Sequence, residues 1–296
     1  MSSRTDYRGR FAPSPTGPLH FGSLVAALAS YLDAKHHNGT WLVRIEDLDT
    51  PRCVPGATKD ILNTLDALGL HSDEPILYQS LRTDAYQAAF ERLAEHLYPC
   101  ACTRREIADS AMIRGDELIY PGTCRGGLPP SREPRSWRVR VDQHFIEFTD
   151  RILGTVKQDM RQEAGDFIVK RADGLYAYQL AVVVDDEAQG VNAIVRGADL
   201  LNSTPRQIYL QHLLGFPTPS HMHIPVAVNA NGEKLSKQTR AAAVQTDNPT
   251  ATLYNALQFL RQKPPASLRT STVRQLLDWA TENWRPSSLK IKQYNQ

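Results

Sequence analysis

The pattern of apolar and polar positions in the first fifty residues predicts a strand, a loop, a helix and a second strand. The apolar stretch at residues 10–12 runs into a proline-rich loop, since each proline fixes its own φ and restricts the residue before it. From Leu19 to Lys35 the apolar residues recur at helical spacing. Residues 41–45 are apolar except for Arg44, and this pattern predicts a buried strand. This order is typical of the opening of a doubly wound α/β domain.

The remaining pattern continues this alternation and contains one interruption. Residues 99–134 are rich in Cys, Gly, Pro and Arg, which indicates an irregular insertion. Further helices are predicted at residues 57–68, 83–96, 204–214 and 249–284, and further strands at 167–171, 176–184, 191–195 and 224–228.

Composition and charge exclude some classes of protein and leave others open. The chain has 296 residues, of which 41% are hydrophobic and 22% charged, as in ordinary globular proteins. It has no run of about 18 uncharged apolar residues and no apolar secretory leader, so we expect a cytoplasmic protein without a membrane span. The net charge of +2 does not indicate a nucleic-acid binder, so any RNA binding must be argued from motifs.

The sequence His20-Phe21-Gly22-Ser23 opens the first predicted helix. A helix N-terminus offers unpaired N–H groups and the positive end of a dipole, and both favour a phosphate. His20 could donate to phosphate oxygens, and Gly22 would let a flat base lie against the backbone. The alternative is a simple loop–helix junction with an incidental histidine.

A second motif, Lys234-Leu235-Ser236-Lys237, follows a predicted strand and a glycine turn. Two lysines on a loop could close over a triphosphate and neutralise the leaving pyrophosphate. The alternative is a solvated basic loop. Both motifs, in this order and separated by α/β sequence, are hard to obtain by chance, so together they favour nucleotide chemistry.

Three of the four cysteines are grouped: Cys100, Cys102 and Cys124. In a reducing compartment this spacing favours a metal over a disulfide. A tetrahedral structural zinc site needs four ligands, and no histidine lies between His96 and His144. Three free structural thiols are the alternative.

Several motifs together resemble the glutamyl-tRNA synthetase family over residues 8–240. That resemblance implies a class I Rossmann-type core that uses ATP to form glutamyl-adenylate, releases pyrophosphate and passes glutamate to a tRNA hydroxyl. The motifs are Arg10-Phe-Ala-Pro-Ser-Pro-Thr-Gly-Pro-Leu-His-Phe-Gly22, Arg44-Ile-Glu-Asp-Leu-Asp49, Ala181-Val-Val-Val-Asp-Asp186, Val195-Arg-Gly-Ala-Asp199, Thr204-Pro-Arg-Gln207 and Lys234-Leu-Ser-Lys237.

The resemblance implies a role for individual residues. Arg10 and Arg196 would bind the side-chain carboxylate of glutamate with help from Tyr178, and Glu46 would hold its α-ammonium. A surface ion pair is the alternative for Glu46 and Arg196, and a core aromatic for Tyr178. The implied glutamate site consists of Arg10, Phe11, Ala12, Pro13, Ser14, Glu46, Tyr178 and Arg196. The implied ATP site, which also holds Mg²⁺, consists of His20, Gly22, Lys234, Ser236 and Lys237. Of these residues, His20 and Lys237 would be catalytic.

The resemblance also supplies a fourth metal ligand. A compact subgroup of the family binds zinc through Cys, Cys, Tyr and Cys at this spacing, which implies a structural Zn²⁺ on Cys100, Cys102, Tyr120 and Cys124. A phenolate is an unusual ligand, although a metal lowers the pKa of a group that coordinates it.

Two departures from the full-length enzymes resemble the glutamyl-Q tRNA(Asp) synthetases, the compact paralogues. Arg196-Gly-Ala-Asp-Leu200 replaces the usual Arg-Gly-Glu-Asp-His, and the sequence after Gln238 is too short for the usual anticodon-binding domain. This resemblance implies a monomer that activates glutamate without tRNA and transfers it to the queuosine of tRNA(Asp). The alternatives are a truncated glutamyl-tRNA synthetase that charges tRNA(Glu) and a catalytically silent tRNA-binding paralogue.

These interpretations imply a division of the chain into four parts. Residues 8–97 and 178–235 would form the two halves of a Rossmann-type parallel sheet domain. Residues 98–177 would form an inserted subdomain with the zinc site and a tRNA contact, and residues 236–296 the lysine loop and a short helical C-terminal region.

Overall fold

The computed structural model describes residues 6–110, 112–114, 117–227 and 242–289, without the side chains of residues 109–117. Its strands are β1 Arg8–Phe11, β2 Thr40–Ile45, β3 Leu77–Tyr78, β4 Leu97–Cys100, β5 Met112–Arg114, β6 Glu117–Ile119, β7 Ser136–Val139, β8 Phe145–Asp150, β9 Gly154–Asp159, β10 Ile168–Lys170, β11 Ala193–Gly197 and β12 Ser220–Ile224. Its helices are α1 Phe21–His36, α2 Ala57–Ala67, α3 Thr83–Arg92, α4 Arg104–Ser110, α5 Tyr178–Ala188, α6 Ser203–Leu214, α7 Pro249–Phe259 and α8 Val273–Glu282.

A seven-stranded sheet forms the centre of the molecule, in the order β3-β2-β1-β11-β12-β8-β9. Every neighbouring pair is parallel except β8 and β9, which form an antiparallel hairpin at the edge. The prediction of an α/β fold with a mostly parallel central sheet is therefore confirmed. The carboxyl ends of β1, β2, β11 and β12 meet at one edge of this sheet, where open α/β folds bind ligands.

Helix α1 lies against this sheet and carries much of the core. Leu24, Leu28 and Leu32 recur at helical spacing and are fully buried, and each contributes about 2 kcal/mol to folding. On its other side α1 packs against α7 and α8. Trp284, just beyond α8, donates from Nε1 to Asp33 Oδ1 of α1 at 2.8 Å, which fixes the end of the helical region on the core. No helix of the described chain is long and apolar enough to cross a membrane.

The insertion contains more regular structure than its composition predicts. Strands β4, β7 and β10 form a separate antiparallel sheet, and β5 and β6 form a hairpin. The β8–β9 hairpin instead extends the central sheet through a parallel register of Asp150 with His221. The predicted range 98–177 therefore contributes two strands to the catalytic sheet.

Two predicted strands are wrong. Residues 176–184 were expected to be a strand, but they enter helix α5, whose residues 180–186 are all buried. An apolar run with three valines has no solvated face, so its period does not separate a buried helix from a strand. The strand predicted at 224–228 is β12, which ends at Ile224 and has no strand after it in residues 225–227. The pattern did not predict a strand at residues 220–223 because His221 and His223 are polar residues, although both side chains are buried in the structure.

Two predicted helices are shorter than expected. Helix α3 ends at Arg92 and is followed by a 3₁₀ turn at Ala94–His96, where the pattern predicted one helix over 83–96. The region 249–284 is divided into α7 and α8 by a second 3₁₀ turn at Ala266–Thr270.

Candidate active site

A cavity of about 640 Å³ opens at the carboxyl edge of the central sheet. Each predicted glutamate or ATP residue within the described chain lines it: Arg10, Phe11, Ala12, Pro13, Ser14, His20, Gly22, Glu46, Tyr178 and Arg196. The predicted residues Lys234, Ser236 and Lys237 lie outside the described residues.

Arg10, near the end of β1, is held rigidly from behind. Its Nε and Nη2 donate to the two carboxylate oxygens of Asp186 at 3.0 and 3.2 Å. Arg44 of β2 contacts the same carboxylate, with Nη2 2.8 Å from Oδ1. Burial alone would raise the pKa of Asp186, but the two guanidiniums outweigh burial and hold that pKa at about 2. Asp186 therefore stays ionised and fixes Arg10 at the cavity wall.

Glu46 follows the last residue of β2 and is buried, with 9% of its surface exposed. Its nearest cation is Arg44, whose Nη2 lies 3.5 Å from Oε1. Burial raises the pKa of Glu46, and Arg44 and Arg10 oppose that rise. Because Glu46 is buried and lines the cavity, the alternative of a surface ion pair does not hold. A cationic group in the cavity would find here a carboxylate with little other solvation.

Arg196, on β11, is a buried cation, and one of its guanidinium nitrogens makes no hydrogen bond to a described residue. Its Nε donates to His223 Nε2 at 3.2 Å and its Nη2 donates to Thr204 Oγ1 at 2.7 Å. Nη1 is buried and makes no hydrogen bond to any described residue. Burial lowers the pKa of the guanidinium, so this cation lacks the solvation that it would have in water. An anion in the cavity would relieve that cost and satisfy Nη1.

His223 and Asp150 orient Arg196 from the far side. Asp150 Oδ2 accepts from both the backbone N–H and Nδ1 of His223, at 3.0 and 2.7 Å. Burial lowers the pKa of His223, which favours the neutral ring. The ring proton then lies on Nδ1, and Nε2 offers its lone pair to Arg196. These contacts could not be predicted from the sequence, because Asp150 belongs to the insertion; the His-x-His pattern of β12 was the available signal.

The motif was predicted to open a helix, and His20 is the residue before helix α1, where its side chain caps the first turn. Its Nδ1 accepts from the backbone N–H of Ser23 at 3.3 Å, and its Nε2 lies 3.0 Å from Ser23 Oγ. The next described segment after 228–241 pairs with this turn, since Ala243 bridges His20 and Val244 N donates to Leu19 O at 2.8 Å. Ala227, which precedes the gap, also lines the cavity. The lysine motif lies outside the described residues, in sequence between Ala227 and Ala243.

Tyr178 is the first residue of α5, and it keeps 36% of its surface exposed while lining the cavity. The alternative of a core aromatic is therefore wrong. Its hydroxyl interacts with Gln207 of α6 and lies within the electrostatic range of Arg196, Glu46 and Arg10. One tyrosine, two arginines and one acid thus surround a single space.

The cysteine group forms a second cluster, in the insertion. The Sγ atoms of Cys100, Cys102 and Cys124 lie within 4.8 Å of one another. Tyr120 Oη is 3.4 Å from Cys100 Sγ and 3.5 Å from Cys102 Sγ, and Cys102 and Cys124 Sγ are 3.5 Å apart. With Zn–S bonds of about 2.3 Å, tetrahedral sulfurs stand about 3.8 Å apart. The four predicted donors therefore fit one zinc ion.

Arg138 supports this cluster from the adjacent strand β7. Its Nε donates to Cys100 Sγ at 3.4 Å, and its guanidinium carbon lies 3.7 Å from the centre of the Tyr120 ring. Burial would raise the pKa of Cys100, but the hydrogen bonds of Tyr120 and Arg138 lower it to about 7. Burial raises the pKa of Cys102 to about 11 and also raises the pKa of Tyr120, so Cys100 is the most readily ionised of these three donors.

The fold is similar to that of solved synthetases. A crystal structure of the glutamate-tRNA synthetase from Elizabethkingia anophelis matches 96% of this chain and 67% of its own, with a TM-score of 0.80 and 24% identity. A glutamate tRNA ligase from Elizabethkingia meningosepticum, solved with its amino acid, matches with the same TM-score and identity over 96% of this chain and 66% of its own. These likenesses concern the fold.

Sequence comparisons place the chain in a family. Residues 6–264 match the family of tRNA synthetases class I (E and Q), catalytic domain. The chain is 59% identical to the glutamyl-Q tRNA(Asp) synthetase of Aromatoleum aromaticum over 94% of its length and 89% of the relative's. It is 55% identical to that of Geobacter sulfurreducens, over 95% and 93%. The chain therefore belongs to the class I tRNA synthetases for glutamate and glutamine and, among these ligases, to the glutamyl-Q tRNA(Asp) synthetases.

Proposed function

We propose that this protein activates glutamate with ATP, without tRNA, and then transfers glutamate to the queuosine at the wobble position of tRNA(Asp). The observation that carries the first step is Arg196, a buried cation that lines the same cavity as the His20 turn and whose Nη1 makes no hydrogen bond to a described residue. The names of the relatives support tRNA(Asp) as the acceptor.

The glutamate end of the cavity selects both charges of the substrate. The side-chain carboxylate pairs with Arg196 Nη1, with Arg10 and Tyr178 beside it. Glu46 takes the α-ammonium, which replaces the solvation that burial removes from its carboxylate. Glutamine is rejected, because a neutral amide leaves the buried Arg196 without an anion.

The ATP end of the cavity is the amino terminus of α1. The first turn of this helix, with Gly22 and His20, binds the phosphates and the base, and Mg²⁺ accompanies the triphosphate. The α-carboxylate of glutamate attacks the α-phosphorus in line, the bond to the β,γ-diphosphate breaks, and pyrophosphate leaves. His20 stabilises the charge that develops on the α-phosphate oxygens; Lys237, outside the described residues, has the same proposed role.

The second step consumes the mixed anhydride. A hydroxyl of the queuosine cyclopentene-diol attacks the carbonyl carbon of glutamyl-adenylate, the acyl–phosphate bond breaks, and AMP leaves. No protein nucleophile is needed, since proximity and charge stabilisation supply the rate.

The cysteine cluster has a structural role in this proposal. Cys100, Cys102, Tyr120 and Cys124 would hold Zn²⁺, which would cross-link β4, the β6 end and the following turn. The residues fit that ion, and no step of the reaction passes through it.

Two assays test the proposed function. The first measures glutamate-dependent ATP–pyrophosphate exchange without tRNA. The second offers labelled glutamate to tRNA(Asp) with queuosine, to tRNA(Asp) without queuosine, and to tRNA(Glu). We expect exchange, and transfer to the queuosine-containing tRNA(Asp) alone. Charging of tRNA(Glu) would contradict the acceptor, and no exchange would favour a silent tRNA-binding paralogue. Glu46→Gln is the matched variant that should lose exchange in the same assay.

A further inference from the structure

A second groove, of about 490 Å³, lies on the insertion between α4, β7 and the turn after β10. It is distinct from the glutamate and ATP cavity, with which it shares no lining residue. Five guanidiniums line it, those of Arg104, Arg105, Arg135, Arg138 and Arg171.

The charge of this groove is strongly one-sided. Among the described residues that line it, Asp173 is the one acid, and Asp173 is already bound by Arg171 at 2.6 Å. Arg104 and Arg135 are exposed and make no ion pair with any described residue. Two solvated guanidiniums with no acid to neutralise them leave room for an external anion.

Part of the groove is rigid. Arg138 is buried, stacks on Tyr120 and donates from Nη1 to Asp166 O at 2.8 Å. Arg171 is held between Asp49, at 2.9 Å, and Asp173. The exposed Arg104 and Arg135 line the groove beside these two held side chains, and the backbone N–H of Arg135 donates to Cys100 O at 3.0 Å.

The groove is connected to the active site through short stretches of chain. Arg171 pairs with Asp49, which follows the cavity residue Glu46 by three positions. The same turn leads from Ala172 and Asp173 into Tyr178, the cavity residue that begins α5. The groove therefore adjoins the two segments that carry Glu46 and Tyr178 to the cavity, and a nucleic acid that reaches the cavity could contact both.

We propose that this arginine groove binds the phosphodiester backbone of the RNA loop that presents the acceptor base. Planar guanidiniums bind phosphate in a bidentate manner and can also stack on unpaired bases of a loop. The proposal rests on the proposed function only for the identity of the RNA. The recognition is electrostatic, so the groove positions the loop and does not read its sequence.

The test uses the full-length protein and the double variant Arg104→Gln/Arg135→Gln. Both side chains are exposed, so the variant keeps its core. Arg274→Gln is the control, because Arg274 is also exposed but lies on α8, which packs against α1 and α7. Binding of queuosine-containing tRNA(Asp) is measured by fluorescence anisotropy over a range of salt concentrations, alongside pyrophosphate exchange and glutamate transfer.

We expect the double variant to bind tRNA about tenfold more weakly, with unchanged exchange. Its plot of log binding constant against log salt should be shallower by about 0.7 for each lost phosphate contact. If the double variant has the same affinity for tRNA and the same salt dependence as the wild type and Arg274→Gln, the proposal that the groove binds RNA is wrong. Binding is measured directly, so the groove is tested even if the wild type fails to transfer glutamate, and that failure would count against the proposed function alone.

Discussion

The active-site cavity and the cysteine cluster are both buried and polar, but they are held together in different ways. In the cavity, Arg10 and Arg196 are fixed by partners behind them, Asp186 and the pair Thr204 and His223. In the cluster, the three thiols and Tyr120 contact one another, and Arg138 contacts both Cys100 and Tyr120. The cavity is therefore organised by the fold before a ligand arrives, whereas the cluster brings together donors that a metal would hold.

This difference follows from the elements that supply the residues. Cavity side chains project from parallel strands whose register is fixed by the sheet, and their acidic partners lie on the buried helix α5 or on β8. The cluster comes from β4, from the end of a hairpin and from a turn. Removing a cavity residue should change activity with the fold intact, and removing a cluster residue should change stability.

The largest effect is expected from Arg196→Gln. The substitution removes the buried cation that the side-chain carboxylate of glutamate would pair with, and truncating one partner of a buried charge pair costs about 4 kcal/mol. We therefore expect kcat/KM for glutamate in pyrophosphate exchange to fall about 10³-fold. The control is Arg8→Gln, since Arg8 begins β1 at the other end of the central sheet and forms a partly exposed ion pair with Glu74. Its kcat/KM for glutamate in exchange should stay within about twofold of the wild-type value. Equal losses in both variants would mean that Arg196 acts through the fold.

Substitutions in the cysteine cluster should change the stabilisation of the protein by Zn²⁺ rather than its activity towards glutamate. With Zn²⁺ at one hundred times its dissociation constant, the wild type should gain about 2.7 kcal/mol in the free energy of unfolding. Cys100→Ser should gain nothing, because it lacks one thiolate. Cys53→Ser is the matched control, since Cys53 lies outside the cluster. Denaturation with and without a chelator, together with elemental analysis, measures this difference.

Tyr120 is tested separately by Tyr120→Phe, which removes only the phenol oxygen. If Tyr120 is the fourth ligand, the variant should bind zinc more weakly than the wild type and more tightly than Cys100→Ser. Zinc affinity equal to that of the wild type would exclude the tyrosine and leave a three-thiol cluster.

The strand–loop–helix–strand opening could be predicted because its signals are local. Prolines between Pro13 and Pro18 break the chain, apolar spacing marks α1, and the buried run 41–45 marks β2. The residues proposed from motifs next to these elements line one cavity, because the carboxyl ends of parallel strands meet there.

What the sequence could not give depends on contacts between distant segments. Asp150 reaches His223 only because β8, from the insertion, joins the sheet beside β12. The two acids at the end of α5 looked like the end of a strand, because a helix buried on all sides shows no polar face. Nothing in the spacing of Arg104 and Arg135 indicates that β10 and the turn after it bring Arg171 beside them.

The Asp150–His223 pair distinguishes positioning from binding within the cavity. His223→Asn can keep a donor near the Nδ1 position but loses the acceptor for Arg196, whereas His223→Gln can keep a group near Nε2. We expect the Asn variant to raise KM for glutamate about 30-fold, or about 2 kcal/mol, with a smaller change in kcat and none in KM for ATP. The Gln variant should lie nearer to the wild type. Equal changes in both KM values would indicate a purely structural histidine.

The smallest effect concerns His221, whose burial makes the free energy of unfolding depend on pH. Burial, with Arg196 nearby, lowers the pKa of His221 from 6.5 to about 3, and its Nε2 has no partner among the described residues. Between these pH values the unfolded chain binds one more proton than the folded chain, so stability is full above pH 6.5 and falls as the pH decreases towards 3. One such group lowers the free energy of unfolding by about 1.4 kcal/mol from pH 6 to pH 5.

Denaturation at these two pH values should show a smaller difference in the free energy of unfolding for His221→Gln than for the wild type. The control His71→Gln, whose ring is exposed, should show the wild-type difference. A wild-type slope in His221→Gln would mean that other groups, such as His223, carry the pH dependence, and that His221 is not held neutral by the fold.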